Sequence, residues 1–146
     1  MISRSTPITV LVVDDSPIFR DGLSRALDMV DDIKIIGVGG SGEQALQQAD
    51  QLQPNVVLLD VNLPGINGLQ VTRKLKSNQD KIAVIIITAH HDTEQVIHAL
   101  RTGAAAYCAK DIHAIKLINI IREVASGYYF VGDERKTKEQ VDDWLD

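Results

Sequence analysis

Aromatic residues make up only 4% of the chain, and there is a single cysteine, Cys108. With so few rings, the core must be filled by Ile, Leu, Val and Ala. One thiol has no partner for an internal disulfide, which excludes a disulfide-stapled scaffold and fits a reducing compartment. No apolar run approaches the ~20 residues that span a bilayer. The opening MISRSTPITV lacks the long apolar segment of a secretory signal. Lys and Arg nowhere form a run, and the net charge is −5. Gripping nucleic acid needs clustered cations, so this chain is not expected to hold DNA by itself. Together these absences predict a cytoplasmic protein with no membrane association.

What is present is 146 residues, 45% hydrophobic and 24% charged, the balance of one ordinary globular domain. Short apolar runs alternate with amphipathic stretches along residues 8–127, after a tail at residues 1–7. The run ITVLVV at 8–13 is too apolar for a half-exposed strand and suits one covered on both faces. Ser16 then offers a helix N-cap and Pro17 a first helical residue, with Phe19, Gly22, Leu23, Ala26, Leu27 and Val30 on one helical face. Further strands are predicted at 33–38, 55–59, 82–87 and 104–109. Helices follow, the second opened by a Ser41/Gln44 capping box and the fourth by Asp92/Gln95. Gly103 and Gly127 close the last two helices. The pattern predicts an α/β protein with a doubly wound parallel sheet, and five units fit the flavodoxin-like (βα)5 order 2-1-3-4-5.

Ligands of open α/β sheets bind at the carboxyl ends of the strands. Here those ends carry Asp14 and Asp15, Asp60, Thr88 and Lys110. Three close carboxylates repel one another unless a cation neutralises them, and Mg²⁺, which favours carboxylate and phosphate oxygens, fits. A lysine and a hydroxyl can each hold a phosphoryl oxygen, and a carboxylate can act as nucleophile. Taken singly each residue is ordinary: a loop cap, a strand terminus, a solvated lysine. Five groups of complementary type at four strand ends are not.

The segments VVDDSPIFRDGL, LLDVNLPGING, IIITAH and GAAAYCAKD resemble, in order, the acidic pair, phosphoacceptor loop, hydroxyl strand and lysine strand of bacterial two-component response-regulator receivers. The first segment is similar to the LuxR-type (NarL/FixJ-like) branch, whose members continue into a DNA-binding domain. The resemblance spans about residues 8–127. It implies that Asp60 accepts a phosphoryl group from a sensor histidine kinase. It further implies that Asp14, Asp15, Asp60 and the Asn62 carbonyl hold Mg²⁺, that Lys110 contacts the phosphoryl group, and that Thr88 and Tyr107 switch on activation. Self-phosphorylation from small acyl phosphates and autodephosphorylation are expected, without a separate enzymatic activity. Asp111 stands where many receivers have a proline, so a trans Lys110–Asp111 bond is expected. His90 lies at a position that varies within the family.

Gly37, Gly39 and Gly42 form a literal GxGxxG between a strand and a helix, with Asp60 near the place of a ribose-binding acid. A dinucleotide-binding domain would, however, leave Asp14, Asp15, Thr88 and Lys110 without a role. An aspartyl phosphatase would need an acid two residues past its nucleophile, where Asn62 stands. The four histidines lack a completing pattern for a metal site. Ile112, Ile115 and Ile120 on the last helix, with Ile18 on the first, form either an exposed homodimer patch or a surface covered by the tail. Residues 128–146 read as a charged linker or C-terminal extension, with a short helix capped by Thr137 and Gln140 and carrying Val141, Trp144 and Leu145 on one side. The expectation is a piece of a transcription regulator whose output domain lies beyond this chain. The alternative is a stand-alone receiver that signals by protein contact.

Overall fold

A computed structural model describes residues 6–79, 81–89 and 93–146. The expected Asp92 cap and the histidines His90 and His91 fall outside that set. Strand β1 (Ile8–Val13) is followed by α1 (Pro17–Asp28), β2 (Ile33–Gly39), α2 (Gly42–Leu52), β3 (Val56–Asp60), α3 (Gly68–Asn78), β4 (Ala83–Thr88), α4 (Thr93–Arg101), β5 (Ala106–Ala109) and α5 (Ala114–Ala125). The strands pair in parallel in the order β2-β1-β3-β4-β5. That is the doubly wound order expected from the βα alternation.

Side chains alternate across the pleat, so each apolar strand feeds two cores. Val10, Val12, Leu58, Ile85 and Ile87 meet Leu27, Leu117 and Ile121 of α1 and α5 on one face. Leu11, Val13, Val57, Leu59, Val84 and Ile86 meet Ala45, Val71, Leu75 and Ala99 of α2, α3 and α4 on the other. Burial on both faces is why the strands read as continuous apolar runs rather than alternating ones.

Helix ends follow the chemistry of their caps. Ser16 Oγ accepts from the Phe19 amide with Pro17 in the first turn. Asn67 and Gln70 form a complete capping box on α3 that the sequence reading does not contain. At α2 the expected box is only half made. Ser41 Oγ accepts from the Gln44 amide, but Gln44 Oε1 turns to the Gly40 amide instead of that of Ser41.

The glycines of the GxGxxG segment serve packing. A Cβ on Gly37 would lie 2.8 Å from Leu52 Cδ1, and one on Gly42 would lie 2.6 Å from the Ile66 carbonyl oxygen. Because the Gly40 amide is already bonded to Gln44, the loop does not offer the row of free donors that a pyrophosphate needs.

The tail departs from a free linker. Residues Tyr129–Val131 (β6) and Glu134–Lys136 (β7) form an antiparallel hairpin, and Lys138–Leu145 (α6) follows with the complete Thr137/Gln140 capping box. The Phe130 amide donates to the Ala105 carbonyl at 2.8 Å, fastening the hairpin to the start of edge strand β5. Val141 is buried, and Arg101 Nη2 of α4 donates to the Leu145 carbonyl. Ion pairs Arg135–Glu123 and Lys116–Asp133 tie the hairpin to α5.

Of the two alternatives for the isoleucines, a homodimer patch or a surface covered by the tail, the docked tail accounts for part of the set. Ile120 is 4% exposed and belongs to the core that Phe130 completes, and Ile112 packs against that core. Only Ile18 and Ile115 of the four stay exposed, at 87% and 84%.

Candidate functional site

The parallel sheet brings the predicted residues together because each ends, or directly follows, a strand. Asp14 follows β1, and its amide donates to the Gly39 carbonyl at 3.0 Å. Its Oδ1 accepts from the Ser16 amide at 2.7 Å, so the carboxylate also shapes the turn into α1. Asp60 ends β3, and its Oδ1 accepts from the Asn62 amide at 2.9 Å. Thr88 ends β4 and is buried. Lys110 follows β5 and is pinned by its amide to the Thr88 carbonyl at 2.8 Å. The Lys110–Asp111 bond is trans, as expected without the proline.

Asp14 and Asp60 are 1% and 4% exposed, whereas Asp15 is exposed. One carboxylate oxygen from each of Asp14, Asp15 and Asp60 lies within 4.8 Å of the others. Lys110 Nζ reaches across the strand ends to Asp14 Oδ2 at 2.9 Å and Asp60 Oδ2 at 3.0 Å. The Asp14 contact is an ion pair without hydrogen-bond alignment. The buried Asp14 Oδ2 therefore has no hydrogen-bond donor directed at it among the described residues. A buried carboxylate oxygen of this kind, in an all-oxygen set, fits a hard divalent cation such as Mg²⁺.

Burial pushes the Asp60 carboxyl above its usual range, and the charge of Asp14 adds to this. The Asn62 amide and Lys110 pull the other way without cancelling it. Burial lowers Lys110, but the carboxylates of Asp14 and Asp60 beside its ammonium outweigh that and raise it. The lysine thus remains an ammonium, and the site as a whole carries an excess of negative charge that a cation relieves.

Tyr107 is only 6% exposed and packs with the α2–α4 core, so its ring already points inward. Cys108, its neighbour, is buried on the opposite face, and burial pushes its thiol up to about 12, the state of a small apolar filler. His98 and His113 are exposed and gather no further ligands among the described residues.

Two features of the site were not singled out from the sequence. Phe19, assigned above to the core face of the first helix, also lies with its ring centroid 4.8 Å from Lys110 Nζ. Gly68, read only as a helix start, sits where a Cβ would be 2.6 Å from the Asp60 carbonyl oxygen and 2.7 Å from Val61 Cα. Both obstacles are backbone, so the loop carrying Asp60 must move to admit a methyl group. Gly68→Ala is expected to cost about 1–3 kcal/mol of stability through overpacking. Thermal unfolding checks this; an unchanged midpoint would mean the loop yields freely.

The description "response regulator receiver domain" matches residues 10–122. The nitrate/nitrite response regulator protein NarL of Escherichia coli K12 is 33% identical over 126 residues, covering 86% of this chain and 58% of that protein. The transcriptional regulatory protein DegU of Brevibacillus brevis is 33% identical over 124 residues, covering 85% of this chain and 52% of that protein. Among solved structures, the signal receiver domain of a protein assigned as response regulator NarL in Mycobacterium tuberculosis superposes with a TM-score of 0.81 at 33% identity. It covers 84% of this chain and 98% of that one. The chain thus spans little more than half the length of these curated relatives. With its 2-1-3-4-5 sheet and its acidic cluster at the strand ends, the chain belongs to the response regulator receiver family.

Proposed function

We propose that this chain is the phosphoacceptor switch of a two-component system, with Asp60 receiving the phosphoryl group from a sensor histidine kinase. The observation that carries this reading is the buried Asp60 carboxylate with the Lys110 ammonium 3.0 Å from it and the oxygens of Asp14 and Asp15 close by. In the transfer, a carboxylate oxygen of Asp60 forms a bond to phosphorus as the P–N bond of the kinase phosphohistidine breaks, and the histidine, protonated on its other ring nitrogen, leaves as neutral imidazole. Asp14, Asp15, Asp60 and the Asn62 carbonyl would hold Mg²⁺, which when bound would neutralise charge on the phosphoryl oxygens. Lys110 receives one of those oxygens and the Thr88 hydroxyl another. Thr88 and Tyr107 then shift in response to the altered charge, a two-state switch read at the β4–β5 surface.

The same reading puts the chain in the cytoplasm; no helix among the described residues is long and apolar enough to cross a membrane. The transcriptional name of the DegU relative, and the share of it that this chain covers, support an output on DNA through a domain beyond residue 146. Ile18 on α1 and Ile115 on α5 are exposed apolar side chains suited to a homodimer contact.

The test is phosphate incorporation from a small acyl phosphate with Mg²⁺. Wild type is expected to take a Mg²⁺-dependent, acid-stable, base-labile label, and Asp60→Ala to take none. Absence of label on folded wild type would turn the reading toward a receiver that only binds partners.

A further inference from the structure

We propose that Phe19 is a positioning residue for Lys110, holding its ammonium at the mouth of the phosphoryl site. This inference rests on the receiver reading above and names a part of that site.

Lys110 reaches from the end of β5 to carboxylates at the ends of β1 and β3, across the whole of β4. A side chain of four methylenes making so long a reach has many alternative rotamers in water. Two carboxylates draw its ammonium inward, and the Phe19 ring lies against it at 4.8 Å to the centroid. The negative face of an aromatic ring attracts a cation without using any of its hydrogen-bond donors. All three N–H groups therefore stay available for carboxylate or phosphoryl oxygens.

The ring itself is fixed. Phe19 stands in the first turn of α1, its amide bonded to the Ser16 Oγ cap, and its side chain packs against the core between the sheet and α5. Lys110 keeps 25% of its side chain exposed, so its ammonium has an open route to solvent that the ring partly closes. The contact differs in kind from those to Asp14 and Asp60. Those carboxylates change their charge balance when a cation or a phosphoryl group arrives, whereas the ring attracts the ammonium equally before and after.

The experiment compares wild type, Phe19→Leu and Phe19→Tyr. Labelling rates from acetyl phosphate at saturating Mg²⁺ are read beside the proton shift of the Lys110 ε-methylene by NMR. Phe19→Leu is expected to label about two- to fivefold more slowly, the loss that a single exposed cation–π contact represents. Its half-saturating Mg²⁺ concentration is expected to stay at the wild-type value, because no cation ligand has changed. Phe19→Tyr is expected to keep the wild-type rate. The ε-methylene protons are expected upfield in wild type and Phe19→Tyr, through the ring current, and at their ordinary position in Phe19→Leu. A purely structural role for Phe19 would slow labelling without this pattern of shift and rescue. Equal rates in wild type and Phe19→Leu, or an unshifted ε-methylene in wild type, would overturn the proposal while leaving the receiver reading intact. A wild type that takes no label would instead sink the phosphoacceptor reading, and the positioning role with it.

Discussion

Lys110→Met is expected to lose on the order of 2–4 kcal/mol of stability in metal-free protein at neutral pH, and Mg²⁺ is expected to restore most of it. Removing one partner of a buried ion pair costs about 3–5 kcal/mol, because the charge left behind is buried without compensation. Lys110 is partly exposed, which brings the expected loss to the lower end of that range and somewhat below it, but Asp14 and Asp60 are both buried and both lean on its ammonium. Methionine keeps an unbranched apolar side chain, so the loss of packing is small.

The pH dependence separates charge from packing. Asp60 has its folded pKa raised, by burial first and by Asp14 next. A raised carboxyl contributes stability that is complete below its unfolded value of about 3.9 and is lost as pH rises through the folded value. Lys110 is also raised, by its two carboxylate partners acting against burial. Its contribution is complete below its unfolded value of about 10.4 and is lost only as pH rises through the folded one. Near neutrality the lysine therefore offsets the aspartate in wild type. In Lys110→Met only the aspartate's penalty remains, and it fades as pH falls toward about 4. Thermal unfolding at two pH values, with and without Mg²⁺, checks the sign. An equal loss at both pH values with no Mg²⁺ effect would assign the lysine's role to its aliphatic stem.

Much of this site was legible because its residues follow strands whose apolar runs are hard to misread. Once Val10–Val13, Val56–Leu59 and Val84–Ile87 are placed as buried parallel strands, Asp14, Asp60 and Thr88 must meet at one edge. What escaped depends on contacts between elements distant in sequence. Phe19 satisfies the helical periodicity of a core residue, and nothing local tells that Lys110, ninety-one positions later, comes to lie over its ring. Ile120 falls off the main apolar stripe of α5, and its sequence position leaves open whether it is exposed or covered until Phe130 is seen in the same core. Gln44 has the spacing of a capping box, yet an amide one residue earlier offers it a 2.7 Å bond. The hairpin escaped because β7 is Glu134, Arg135 and Lys136, a run of charge with no apolar alternation. Its strand state comes from pairing with Tyr129–Val131, not from its own composition.

That pairing makes the tail part of the folded unit, and Phe130→Ala tests it. Phe130 is 8% exposed, shares a core with Ala105, Ile120 and Val124, and its amide bonds to β5's approach at Ala105. Truncating a buried phenylalanine leaves a cavity as well as lost transfer energy, and a loss of about 3 kcal/mol is expected. Trp144→Ala, on the 41% exposed ring of α6, is expected to change stability by only a few tenths of that. Urea unfolding should show one transition for Phe130→Ala, with a lower midpoint and an unchanged slope, since the same surface is exposed on unfolding. A midpoint equal to wild type would mean that the tail is not docked in solution. An early, separate transition would mean that it docks but opens by itself. The distinction bears on output. With the hairpin docked on β5 and Arg101 of α4 holding the end of α6, the output domain of the proposed reading would be attached to the β5 edge through folded structure. A free tether would transmit only proximity; a docked one can transmit a shift in β5.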